Sequence, residues 1–177
     1  MRWSELQERQ PRLAEAGRRR LLDPGVVLVV TIRRDGTPRL SPVEPLLLDG
    51  DLWLSMMPTS AKVHDLDRDP RVLVHNVIAN SDDHAGEYKI RGTTRAEPDP
   101  DVQQRYATAV SEALGWHPVP GSFRLFAVQI SDITVIRYDE PTGDQTVTRW
   151  PTGGEFLRRG TSATTLGPPQ PHHDLLD

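Results

Sequence analysis

The chain has 177 residues, with 25 acidic against 21 basic side chains and a formal charge of -4. That length fits one domain, or one domain with a tail, and the charge balance points to neither nucleic acid nor an anionic membrane as a partner. Cysteine is absent, which removes disulfides, thiolate nucleophiles and cysteine-ligated metal and suits a reducing compartment.

The opening stretch MRWSELQERQ lacks an apolar signal core, and the longest aliphatic run, Val26 to Val30, is too short to span a bilayer. A cytoplasmic protein that works on small molecules is the expectation. Residues 1–22 read as an N-terminal helical segment. Ser4 and Gln7 stand in capping-box spacing, Leu6 and Leu13 share a side, and Pro11 kinks or splits the run. Arg18 to Arg20 end it as a solvated face favoured by the helix dipole. The arginine bias of the chain, 19 of its 21 basic residues, fits a GC-rich genome better than a binding surface.

VVLVVTIRR then reads as a buried strand, and Asp35 with Gly36 as a two-residue hairpin turn into PRLSPVEPLLL. A second such pair, Asp49 and Gly50, leads into DLWLSMM, giving three antiparallel strands in meander order. Pro42 and Pro45 each take a donor out of the middle strand. An edge, a bulge or a break facing a ligand reconciles them with a sheet.

PTSAKVHDLDRDP, from Pro58 to Pro70, predicts a short helix that Thr59 or Ser60 can cap. Lys62 falls in its first turn, where the helix dipole is positive and disfavours a cation. A bound phosphate resolves the conflict, because it accepts bonds from the hydroxyls, the free amides and the ammonium together. In its absence the hydroxyls only cap the helix and the lysine is a solvated charge.

RVLVHNVIA and EYKIRGTTRAE follow as strands on either side of the polar loop NSDDHAG. Asp99 and Pro100 start a helix with Val102, Tyr106, Val110, Ala113 and Leu114 on one face, and Gly115 stops it. FRLFAVQISDITVIRY reads as two strands joined around Ser131 and Asp132, and QTVTRW as another. From Gly160 onward the Pro-, Gly-, Ser- and Thr-rich sequence has little to bury and predicts a flexible, mostly disordered tail over 160–177. Residues 23–159 remain as the domain proper. Short antiparallel strands with tight turns and few helices point to a small closed or split barrel. Six histidines, at positions 64, 75, 84, 117, 172 and 173, show no metal-ligand spacing beyond the tail pair, so no metal is expected. His75, on a strand, is either structural or ligand-facing. Trp3, Trp53 and Trp116 read as core or interface anchors rather than stacking platforms.

The order of these pieces over roughly Asp23 to Tyr138 resembles the pyridoxamine 5'-phosphate oxidase-like family of FMN-binding split barrels. The matching parts are a hairpin, a third strand, the helix start TSAK, then Asp69-Pro70-Arg71 and the later YKIRG. The resemblance implies a mainly β, antiparallel, Greek-key-like split barrel. It implies a homodimer with FMN at the subunit interface and hydride transfer to or from a small molecule. Carried over by position, Ser60 and Lys62 would hold the phosphate, with Arg39 assisting. Leu40, Ser41, Pro42, Val43 and Glu44 would run along the ring and ribityl chain, and Ser55, Met56 and Met57 would line the ring. Trp150, before Arg158 and Arg159, matches part of a C-terminal signature that orients the cofactor. Ala61 stands where the oxidase proper has an arginine. A related branch uses the deazaflavin coenzyme F-420, and a further alternative is a non-catalytic flavin- or tetrapyrrole-binding protein, in which His75 could ligate haem.

Overall fold

The computed structural model describes residues 1–78, 86–162 and 164–173. Most of the loop NSDDHAG, His84 included, therefore lies outside the described residues. Two short helices open the chain, α1 (Trp3–Arg9) and α2 (Pro11–Gly17), and a π-helical turn (Arg18–Leu22) follows. Pro11 splits the run, as its missing N–H costs nothing at the first position of a helix. The cap of α1 differs from the predicted box. Arg2, not Ser4, is the N-cap residue, and its amide donates to Glu5 Oε2 at 2.7 Å.

The strands are β1 (Val27–Ile32), β2 (Pro38–Val43), β3 (Pro45–Leu48), β4 (Asp51–Met56), β5 (Arg71–Asn76), β6 (Glu87–Glu97) and β7 (Arg124–Asp139). They form one antiparallel surface in which β2 pairs β1, β1 pairs β5, β5 pairs β6, β6 pairs β7, β7 pairs β4 and β4 pairs β3. β3 continues β2 with only Glu44 between them. Circling the sheet therefore returns the chain almost to its start, but no ladder joins β2 to β4 among the described residues. The barrel is split at this seam. Pro42 and Pro45, which flank Glu44, have no N–H to offer across it. The proline-broken middle strand is one stretch divided between two sheet partners.

The two predicted turns come out differently. Asp49 and Gly50 both have positive φ, 53° and 80°, and connect the Leu48–Asp51 pair as a two-residue turn. The loop at Asp35-Gly36 has three residues. Arg33 donates to Thr37 and Gly36 to Arg33, with Gly36 left-handed. β7 is one strand of 16 residues rather than two, because Ser131 is absorbed as a bulge opposite Arg91 and Gly92. Gly92 is required there, since a Cβ would lie 2.0 Å from the Gln129 carbonyl oxygen.

Helix α3 (Ala61–Arg68) follows β4, and α4 (Pro100–Leu114) follows β6. Asp99 caps α4 by accepting from the Asp101 amide at 2.8 Å, and Gly115 ends it at φ 68°. Ala113, predicted on its buried face, is exposed. Leu6, Leu13 and Leu21 of the opening helices enter the core formed by Val27, Val29, Val74, Tyr88, Ile90 and Phe126, closing one mouth of the barrel. The Tyr88 hydroxyl donates to the Leu13 carbonyl across that junction at 2.9 Å. A second cluster forms outside the barrel, where Tyr106, Ala107 and Val110 of α4 pack on Trp53, Leu125 and Ala127.

The described residues of the C-terminal segment, 160–162 and 164–173, carry short strands where composition predicts a mostly disordered tail. After β8 (Asp144–Trp150) and β9 (Gly154–Arg158) come β10 (Gly160–Ser162), β11 (Thr165–Leu166) and β12 (Gln170–His172). β10 and β11 form a small hairpin and β12 pairs β9, with Gln170 opposite Leu157 and His172 opposite Glu155. Composition misleads here because an edge strand needs only backbone partners, and β12 supplies those while its own side chains stay exposed. Among the described residues no helix is long and apolar enough to cross a membrane.

Candidate functional site

A cavity of about 360 Å3 opens where the split seam meets the ends of β4 and α3. That volume is at the low end for a small-molecule site. Pro42, Val43 and Glu44 supply one wall; Ser55, Met56 and Met57 supply the next, and Lys62 of α3 stands at the end of β4. The opposite wall was not legible as a site: Tyr106 comes from α4, and Trp116, Ser122 and Phe123 from the loop behind it, with Val26 ahead of β1. One signal did point to Tyr106, since a tyrosine on the buried face of a helix needs a partner for its hydroxyl. That partner is Ser55. Burial, together with the nearby Glu44 charge, pushes the Tyr106 hydroxyl up to about 12 despite the Ser55 hydrogen bond, so it stays protonated at neutral pH.

The start of α3 carries the feature that composition alone left open. Ser60 is the N-cap residue and its carbonyl accepts from the Val63 amide at 3.0 Å, but its side chain makes no capping bond. The expected hydroxyl cap is therefore absent. The Ser60 Oγ is instead buried with no hydrogen-bond partner. An orphaned hydroxyl of this kind costs free energy that a partner would recover. The amides of Ala61 and Lys62, first in the helix, have no preceding turn to donate to. Lys62 lines the cavity beside them and forms no ion pair among the described residues. The cavity lining includes Lys62 but not Ser60 itself. The hydroxyl, the two amides and the ammonium of this helix start are the donor types that fit an anion such as a phosphate.

The other predicted residues lie farther off. Arg39 is engaged elsewhere: its Nε donates to Asp65 Oδ2 at 2.7 Å, and Thr31 Oγ1 donates to the same oxygen at 2.9 Å. Burial alone would raise the Asp65 carboxyl, but the bonds from Arg39 and Thr31 and the charges of Arg39 and Arg68 outweigh it and hold the group below 3.8. Leu40 is 62 % exposed, and Ser41 is half-buried beside the cavity without lining it. Trp150 lines a different cavity, of about 500 Å3, with Lys89, Arg91 and Arg149. His75 has Nδ1 at 2.5 Å from the Asn76 carbonyl oxygen, while its Nε2 lies 3.6 Å from Glu87 Oε2, beyond hydrogen-bond distance. Among the described residues no three His, Cys, Asp or Glu side chains are grouped to hold a metal ion.

The family model for pyridoxamine 5'-phosphate oxidase matches residues 13–137, well over half of the chain. The chain belongs to the pyridoxamine 5'-phosphate oxidase family. Solved structures agree at the level of fold. A pyridoxamine 5'-phosphate oxidase-like protein from Listeria innocua is 17 % identical, with a TM-score of 0.54 over 64 % of this chain and 90 % of the other. A protein described as an F420 reductase is 19 % identical, with a TM-score of 0.52 over 66 % of this chain and 94 % of that one. HutZ, the heme storage protein from Vibrio cholerae, is 14 % identical, with a TM-score of 0.57 over 71 % and 93 %. No curated protein matches the sequence. The split-barrel fold of the family is thus that of this chain, whereas the neighbours are described in different terms, one as an F420 reductase and another as a heme storage protein.

Proposed function

We propose that this member of the family is a homodimeric, cytoplasmic oxidoreductase that binds FMN and passes hydride to or from a small molecule. The observation that carries the reading is the buried, unpartnered Ser60 hydroxyl beside Lys62 at the start of α3. In this reading Ser60 Oγ, the Ala61 and Lys62 amides and the Lys62 ammonium hold the phosphate, and the helix dipole adds to their attraction. Val43 and Met56 flank the ring and exclude water, while Tyr106, kept protonated, retains a hydroxyl proton at the cavity wall. When bound, the flavin supplies the hydride chemistry, so no side chain of the chain is obliged to act as acid or base. Arg39 acts at one remove, holding Asp65 and through it α3. Dimer formation is favoured by the apolar rim, where Met57 is 70 % and Trp116 51 % exposed beside a cavity that is small for a whole flavin.

The deazaflavin coenzyme is the second reading, supported by the same anion site and by the likeness to a protein described as an F420 reductase. A haem reading is weaker, because His75 does not line the cavity and its Nδ1 is engaged with the Asn76 carbonyl. Fluorescence titration of the cofactor-free protein with FMN, coenzyme F-420 and haemin separates the three. Saturable binding of one FMN per chain, reducible anaerobically by a nicotinamide donor, is expected. Binding of haemin alone, or of none of the three, overturns the reading.

A further inference from the structure

The outer face of the barrel, away from the seam, changes character across the sheet. In β1 the alternation runs buried then half-buried, and the outward positions Leu28, Val30 and Ile32 are all apolar where a sheet face meeting water ordinarily carries polar side chains. A cavity of about 390 Å3 lies on this face, floored by Val30, Ile32 and Leu73 and edged by Arg71 and Arg91. Arg91 also lines the cavity of about 500 Å3 that holds Trp150, so the two adjoin. Register makes them one strip. Val30 pairs Leu73, Leu73 pairs Arg91 and Arg91 pairs Asp132, while the next row runs Lys89, Thr134, Arg149. Neither cavity shares a lining residue with the seam cavity.

The protein leaves part of the positive charge of this strip unmatched. Arg71 is paired by Asp69 and Lys89 by Glu87. Arg91 comes only within 3.9 Å of Asp132, and Arg149 forms no ion pair among the described residues. Arg149 is nonetheless held in place. Its stem packs so closely on Gly153 that a Cβ there would lie 3.1 Å from it, and its guanidinium lies 5.8 Å over the Phe156 ring. Lys89, Arg91 and Arg149 face the one carboxylate of Asp132 in the lining, within a chain whose formal charge is -4. The positive excess is therefore local, and it draws an anion.

We infer that this strip binds an amphipathic anion, an aliphatic carboxylate whose chain lies over Val30, Ile32 and Leu73 and whose head is held by Arg91 and Arg149. The chain removes apolar surface from water, and the head completes the charge-assisted bonds that the two guanidinium groups lack. The site is separate from the seam cavity and asks nothing of the cofactor.

Isothermal titration calorimetry of the full chain with decanoate, butyrate and decyltrimethylammonium, each below its micelle concentration, tests chain and charge separately. Decanoate is expected to bind at one per chain and at least about tenfold more tightly than either of the others. Arg91→Gln combined with Arg149→Gln should erase the preference for decanoate over decyltrimethylammonium and keep the dependence on chain length. Val30→Thr, close to the parent in shape, should weaken the dependence on chain length and keep the preference for the anion. Near-equal affinities for the three probes in the parent, or a charge preference that survives the double substitution, overturn the inference. Displacement of decanoate by FMN would move the binding to the seam cavity and overturn it as well. So would a fall to the single-chain mass in the double variant, read by light scattering, because the strip would then belong to a second copy of the chain.

Discussion

At the scale of single residues, Lys62 and Ser60 separate ligand binding from folding. Lys62→Ala removes a charge-assisted bond worth about 1.5 to 3 kcal/mol from cofactor binding, on the order of ten- to a hundredfold in Kd. The cofactor-free protein should melt at the same temperature or slightly higher, because a cation has left the positive end of a helix. Ser60→Ala is the more informative variant. A capping serine would cost roughly 1 kcal/mol on removal, but this hydroxyl caps nothing and is buried without a partner. The variant's cofactor-free melting temperature should therefore stay level or rise, while its FMN affinity falls by about tenfold. Calorimetry of the cofactor-free protein beside a fluorescence titration checks both, and a drop in cofactor-free stability would restore the capping role.

At the scale of elements, α3 is fastened to the sheet through Asp65, which takes bonds from Thr31 on β1 and Arg39 on β2. Asp65→Ala leaves Arg39 half-buried and unpaired and should cost about 3 kcal/mol of stability, seen as a lower denaturant midpoint. The sign with pH follows from the depressed carboxyl. Its stabilisation is complete above the unfolded value of 3.8 and is lost as pH falls through the lower, folded value. Asp65→Asn should flatten that acid limb, which chemical denaturation at a series of acidic pH values would reveal. Elements defined by local chemistry were legible in the sequence: the Asp49-Gly50 turn, the Asp99 cap and Gly115 stop of α4, and the proline break around Glu44. What escaped depended on partners distant in the chain. Composition did not reveal that Gln170 to His172 would find the edge of β9, or that Asp65 would claim Arg39. The cavity's strand walls were readable from TSAK and SPVE, whereas Tyr106 and Phe123 reach it only through the packing of α4.

At the scale of the whole molecule, light scattering at micromolar concentration should give twice the 19.9 kDa chain mass, since the cavity rim is apolar and open. A single-chain mass would place the whole site in one subunit. Removing residues 167–177 strips β12 from β9 and breaks the bond from Arg158 Nε to the Gly167 carbonyl. A loss of about 1 kcal/mol and a greater tendency to aggregate are expected, because the edge of β9 is uncovered. An unchanged melting curve would mean that the edge pairing contributes nothing. β7, finally, is the strand against which β4, β6 and β8 all align, and it begins only at Arg124. On the ribosome, at about 5–20 residues per second, β4 must wait several seconds for that partner after it emerges. During the wait its apolar edge is open to any passing strand. Synthesis is thus the interval in which this protein is most exposed to misassembly, and a chain halted near residue 120 should stay associated with chaperones rather than reach a stable barrel.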